Sequence, residues 1–202
     1  MATDHPGHPE AAAAIARISS ISQVTSPVIV ALDGRSGTGK STLATWMAAH
    51  LGGLRIDQDD FYAGGEIHEW RRLSAREKAD RVIDWRRVRN EVLLPLRQGQ
   101  GATWRPFNWD TMIGLSPDTI NVQPSNIIIL DGAYSARPEL ADLIDLSILV
   151  TLPDDVRRER LRRREGEDFV SEWHAIWDEA EDWYFGIARP PGSFDLVISR
   201  PA

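Results

Sequence analysis

Val28-Ile29-Val30-Ala31-Leu32 runs into Gly34-Arg35-Ser36-Gly37-Thr38-Gly39-Lys40-Ser41, and Thr42-Leu43-Ala44-Thr45-Trp46-Met47-Ala48-Ala49 follows. The middle segment fits G-x-x-x-x-G-K-[ST], the phosphate-cradling P-loop. Such a loop must aim many backbone N–H groups at one anion, and glycines give the chain the conformations this needs. The apolar, β-branched run before it reads as a buried strand, and the segment after it as a helix ending near Gly52-Gly53. A helix starting at the loop adds the positive end of its dipole to the anion site. Every residue from Gly34 through Arg35, Ser36, Gly37, Thr38, Gly39, Lys40 and Ser41 to Thr42 is therefore a candidate nucleotide contact. Lys40 is the point charge for the β- and γ-phosphates, and the Ser41 hydroxyl is a candidate Mg²⁺ ligand.

The rest of the composition narrows the class. A chain of 202 residues is one domain with room for a substantial core. A net charge of −7 argues against non-specific nucleic-acid binding, which needs basic surface. With no cysteine, disulfides, cysteine zinc sites and thiol nucleophiles are excluded. No run reaches transmembrane length, and Met1–Ser20 lacks the basic-then-apolar order of a secretory signal. The expectation is a cytoplasmic protein with no membrane or nucleic-acid partner, with homo-oligomerisation left open.

Further strands are expected at Leu54–Ile56, Ile127–Leu130, Leu146–Val150 and Phe194–Ser199, separated by helical stretches. That alternation implies an α/β three-layer fold, with a parallel sheet of about five strands flanked by helices. Residues 1–26 read as a loose tail leading into a helix, and residues 27–202 as a single domain. The second strand ends in Asp57-Gln58-Asp59-Asp60-Phe61-Tyr62. Three carboxylates crowd a strand end, where open α/β sheets bind ligands, so a general base or an acidic helix cap is expected there. Trp85, Val88, Val92 and Leu96 recur at helical spacing behind Asp84, a candidate N-cap, and Pro95 should kink or end that helix. Gly99–Gln123 reads as irregular; its Trp104-Arg105-Pro106-Phe107-Asn108-Trp109-Asp110 suits either a ring-bearing ligand or a packed loop. Asp131 ends a buried strand, as the metal-holding acid of a Walker B motif does. Asp154-Asp155 opens a helix carrying Arg157, Arg158, Arg160, Arg162, Arg163 and Arg164, a basic cluster suited to charge in phosphoryl transfer. On the helix near Val170–Tyr184, the stripe with Trp173 and Trp177 reads as packing, and His174 as structural.

Taken in order, these motifs resemble the uridine kinase and phosphoribulokinase group of P-loop small-molecule kinases. The resemblance runs from about Val28 to Ser199 and rests on the P-loop, Gln58–Tyr62, Val92–Leu96, Ile129–Ser135 and the arginine-rich segment. It implies the P-loop NTPase fold with an arginine-rich lid at 154–168, and a substrate-side insertion at 63–123. It implies ATP and Mg²⁺ as cofactors and a small-molecule hydroxyl as acceptor, nucleosides foremost; pantothenate, sugars and sugar phosphates are the alternatives. A nucleotide-binding regulator without kinase activity is the rival of another class. In the resemblance Asp59 is the base, Lys40 with lid arginines (Arg158 and Arg162 singled out) is catalytic, and Asp131 joins Ser41 at the metal. Tyr62, Asp84, Phe107 and Trp109 stand where substrate contacts are expected, beside Asp59. The chain lacks the group's Asp-His-Pro motif and has Asp131 where uridine kinases usually carry Glu.

Overall fold

The computed structural model describes residues 9–166 and 170–200. Its centre is a five-stranded parallel sheet in the order β2-β5-β1-β6-β7. The strands are β1 (Val28–Asp33), β2 (Leu54–Asp57), β5 (Ile127–Asp131), β6 (Leu146–Thr151) and β7 (Leu196–Ser199). β1 lies in the middle, paired with β5 on one side and β6 on the other. Being central, it is buried at every position, hence a continuous apolar run rather than an alternation.

The two-residue period of the strands divides the core in two. Val28, Val30, Leu32, Ile127 and Ile129 face one side, against Leu43, Ala44 and Met47 of α2 (Lys40–Leu51). Ile29, Ala31, Ile128 and Leu130 face the other, against Val88, Val92, Leu93 and Leu96 and the helix α8 (Ser171–Trp183). α1 (Pro9–Ser22) lies in the helical part of residues 1–26. Its Ala11, Ala14 and Ile18 are fully buried in the α2-side core, because their spacing makes one small apolar face. The first eight residues of that segment lie outside the described ones, as do 167–168 of the expected lid.

Between β2 and β5 come the short helices α3 (Ile67–Trp70), α4 (Ala75–Arg81), α5 (Trp85–Arg87) and α6 (Leu94–Arg97). Ser74 and Glu77 form a reciprocal capping box that starts α4. Asp84 caps α5 by accepting from the Arg87 N–H at 3.2 Å. A π-helical stretch, Val88–Leu93, joins α5 to α6, and Pro95 sits in the first turn of α6. The wider turn accommodates a residue that has no N–H to donate, and the helix ends two residues later. Gly99–Gln123 is not wholly irregular: β3 (Ala102–Trp104) and β4 (Ile120–Val122) form an antiparallel pair. Trp104 stacks on Phe61 and is buried, so the hairpin is fastened to the core. α7 (Asp154–Glu165) is fixed at its base by Arg157, 1 % exposed, which binds Asp154 and Asp178 at 2.6 Å each.

A second buried charge organises the loops above the sheet. Asp33, at the end of β1, is fully buried and accepts four hydrogen bonds. Oδ1 takes the N–H of Gly34 at 2.8 Å and of Tyr134 at 2.9 Å. Oδ2 takes the N–H of Ala136 at 3.0 Å and the Tyr184 hydroxyl at 2.9 Å. Tyr134 has a left-handed φ of 70°, a conformation that costs a non-glycine residue energy and that this anchor holds. Burial raises the Asp33 carboxyl from 3.8 to about 6, although the Ala136, Tyr184 and Gly34 donors and the Lys40 charge oppose it. The folded state thus binds this proton more tightly than the unfolded chain. The associated stability is fully present below pH 3.8 and is lost as pH rises through about 6. Asp33→Asn puts an amide where two donors already point. Urea unfolding at pH 7 should show a loss of about 1–3 kcal/mol, and the variant's stability should vary less than wild type between pH 4 and 6.

Candidate active site

The P-loop joins β1 to α2. Gly39 takes a left-handed φ of 83° at the N-cap of α2, with no side chain capping the helix, so its first N–H groups are left for a ligand. Gly37 has the same φ, and a Cβ there would stand 2.7 Å from the Arg157 carbonyl oxygen. The consensus glycine is thus required by the approach of α7 as well as by its dihedral. Arg35 pairs with Asp182 at 2.6 Å, fixing the loop to α8. A cavity of about 480 Å³ is lined by Gly37, Gly39, Lys40, Ser41 and Thr42, and by Arg160, Arg164 and Arg200. Arg200 donates to the Gly39 carbonyl at 3.1 Å, and its guanidinium is held below its ordinary value by burial and by Arg160. Cations crowded beside open N–H groups favour an anion between them.

Helical phase decides which arginines reach this cavity. Arg160 and Arg164 are four residues apart on the face toward the P-loop. Arg158 and Arg162 lie on another face: Arg158 binds Asp178 at 3.0 Å and Arg162 approaches Glu159 at 3.9 Å. The two arginines singled out from the sequence are therefore turned from the P-loop.

The acidic strand end is resolved by its partners. Arg55 and Asp57 are two apart on β2 and share a face, and the Arg55 guanidinium binds Asp57 at 2.7 Å and Asp131 at 2.6 Å. Asp60 accepts from the Trp104 indole at 2.9 Å. Asp57, Asp59 and Asp60 all line the cleft, but among the described residues no hydrogen bond or ion pair engages the Asp59 carboxylate; its backbone N–H donates to Asp57 at 3.1 Å and its carbonyl accepts from Tyr62 at 3.2 Å. Desolvation by the surrounding walls raises the Asp59 carboxyl to about 6. Lys40 opposes the shift; Asp57, Asp131 and Asp60 add to it.

The metal roles expected of Ser41 and Asp131 can be tested on donors. Ser41 lines the P-loop cavity. Asp131 is fully buried; Arg55 takes its Oδ2, and Oδ1 has no hydrogen-bond partner. Among the described residues no group of three His, Asp or Glu forms a cage. Mg²⁺ bound through phosphates, waters and one or two protein oxygens needs no cage, so the donors present fit it.

Next to the P-loop cavity opens a cleft of about 1000 Å³ walled by Tyr62, Trp109, Trp173 and Trp177. The Tyr62 and Trp109 rings stack at 5.3 Å, with Trp173 and Trp177 edge-on to Tyr62 at 6.2 and 6.0 Å. The stripe read as packing thus does both: Trp173 and Trp177 pack on the core and line the cleft. Phe107 is buried behind Tyr62 and Trp109 and braces them. Asp84, engaged as a helix cap, is not among the cleft's lining residues. Asp59 and Ser36 line both the cleft and the P-loop cavity.

Glu181 escaped the sequence reading. It is 1 % exposed and accepts the Ser36 N–H at 3.0 Å and hydroxyl at 2.8 Å through Oε1. The available signal was phase: it lies four residues after Trp177, a charge on an otherwise apolar stripe.

No family model matches the chain. It is 26% identical over 188 residues to a uridine kinase of Limosilactobacillus reuteri, covering 85% of this chain and 78% of that protein. A uridine kinase of Geobacillus kaustophilus is 26% identical over 171 residues, covering 81% and 77%. Among solved structures, a candidate fructose transport system kinase from Silicibacter sp. TM1040 superposes with a TM-score of 0.70 at 23% identity, covering 95% of this chain and 98% of that one. A possible uridine kinase from Bacillus stearothermophilus gives 0.65 at 18%, covering 91% and 97%. A D-glycerate 3-kinase from Cryptococcus neoformans gives 0.63 at 13%, covering 96% of each chain. At these identities the structural likeness shows the fold, and the named relatives support kinase activity. The chain resembles the uridine kinases in sequence and has the α/β fold of the P-loop kinases.

Proposed function

We propose that this protein transfers the γ-phosphoryl group of ATP, with Mg²⁺, to a hydroxyl of a small molecule, with a nucleoside as the first candidate. The observation that carries the reading is the position of Asp59, at the junction between the P-loop cavity and the aromatic cleft. A base there can meet an acceptor hydroxyl from one side and a terminal phosphate from the other.

In this reading the P-loop amides and Lys40 hold the phosphates. Arg160, Arg164 and Arg200 close around them, in place of Arg158 and Arg162. Ser41 and the free oxygen of Asp131 are the protein's ligands to Mg²⁺, directly or through water. When bound, the metal neutralises charge on the phosphates. Asp59 takes the hydroxyl proton as the acceptor oxygen bonds to phosphorus, and the bond from phosphorus to the bridging oxygen breaks to release ADP. The cleft's rings suit the flat face of a base or the apolar face of a sugar. Residues 63–123 carry Tyr62's neighbours and Trp109 as the acceptor side, and the helix from Asp154 is the lid.

The test is ADP release from Mg-ATP over a panel of nucleosides, sugars, sugar phosphates and pantothenate. Release stimulated by one acceptor is expected; tight ATP binding with no stimulation would favour a nucleotide-binding regulator. Asp59→Asn should leave ATP affinity within about threefold and lower kcat by about 10²–10⁴-fold. The base works ionised, so kcat/KM measured below saturation should fall as pH drops through about 6. Arg160→Ala should weaken ATP binding about tenfold, whereas Arg158→Ala, on the other helix face, should change it less than about twofold.

A further inference from the structure

The cleft narrows to a smaller cavity of about 130 Å³ between Asp59, Tyr134, Trp177 and Glu181. Besides the Tyr62 hydroxyl, two polar atoms of its lining residues are buried without a hydrogen-bond partner: Glu181 Oε2 and the Tyr134 hydroxyl. Both side chains are more than nine-tenths buried. Glu181 Oε1 is already committed to Ser36. A buried carboxylate oxygen without a donor is costly, and native folds seldom leave one unless a ligand or water completes it. Asp84 is occupied as a helix cap. Among the described residues lining this cavity, the buried carboxylate with an uncommitted oxygen is therefore Glu181.

We infer that Glu181, with Tyr134, binds a second hydroxyl of the phosphate acceptor, and that the acceptor is an uncharged polyol-bearing ring rather than an anion. This rests on the kinase reading above. The pairing is chemically direct: a hydroxyl donates to Glu181 Oε2 and accepts from the Tyr134 hydroxyl. The walls support the charge assignment. The cleft and cavity carry Asp57, Asp59, Asp60, Glu66, Glu165 and Glu181. Arg164 and His174, basic groups on the same walls, both contact Glu165, at 2.9 and 2.6 Å. A carboxylate or phosphate on the acceptor would meet like charge there. Through Ser36, the same glutamate links the acceptor to the phosphate loop.

The test uses Glu181→Gln, which keeps an oxygen for Ser36 and replaces the free acceptor oxygen with an amide. Turnover is read as separate KM values for acceptor and ATP. Acceptor binding is read independently from tryptophan fluorescence, with uridine, cytidine, ribose and fructose as neutral probes and glycerate and glucose phosphate as anionic ones. The acceptor KM should rise at least about tenfold, the size of one hydrogen bond to a charged group, with the ATP KM within about twofold. In wild type, deoxy analogues of the acceptor should show one non-reacting hydroxyl whose removal costs as much, and that cost should vanish in Glu181→Gln. Should the variant fail to fold, the analogue series in wild type and Tyr134→Phe still decide. An unchanged acceptor KM, an equal rise in the ATP KM, no costly hydroxyl, or preference for the anions would overturn the inference and leave the kinase reading standing. Neutral probes that bind through Glu181 without ever being phosphorylated would sink the kinase reading instead. No binding of any neutral probe would overturn the inference too.

Discussion

A buried carboxylate with four donors holds the upper edge of this molecule together. Asp33 joins the first turn of the P-loop, the loop after β5 and the end of the long helix that walls the cleft. Each of those segments would otherwise have an unpaired polar group at the top of an apolar sheet. Satisfying them at one carboxylate fixes the P-loop against Tyr134 and Tyr184, and so sets the distance between the phosphate cavity and the cleft. The cost is visible in the carboxyl itself, which burial pushes up to about 6.

Charge is handled differently on the two sides of the site. Around the P-loop, Lys40, Arg160, Arg164 and Arg200 gather with open helix N–H groups and leave room for an anion. In the cleft, acids dominate and aromatic rings supply the surface. Arg55 between Asp57 and Asp131, and Trp104 on Asp60, engage the neighbouring acids. The carboxylate without such a partner among the described residues is that of Asp59, at the boundary between the two fields. A polarity of this kind suits joining a polyanion to an uncharged partner.

The sheet was legible because its strands are buried on both faces and so appear as apolar runs, and the P-loop because its spacing is dictated by phosphate geometry. That Asp59 follows a strand end was legible from the short apolar run before it. The helical phase of α7 was harder: six arginines crowd one segment, and only the direction in which Arg157 and Leu161 are buried tells which of them face the loop. Trp173 and Trp177 looked like packing because a cleft wall and a core face obey the same periodicity. Asp84 and Phe107 sit near the site in sequence, but capping and ring packing consume them. The β3–β4 pair has three-residue strands, too short for an alternation to stand out. Asp33 gave no signal, since its partners are backbone groups and a tyrosine distant in the chain.

In the proposed reaction the phosphate leaving ATP lands on an organic hydroxyl. ATP labelled with heavy oxygen in its γ-phosphoryl group, incubated with the protein, Mg²⁺ and a mixture of nucleosides and sugars, tests it by mass spectrometry. The label is expected, in one piece, on a single class of uncharged acceptor. Label recovered only in inorganic phosphate, or retained in ATP that binds tightly, would contradict it.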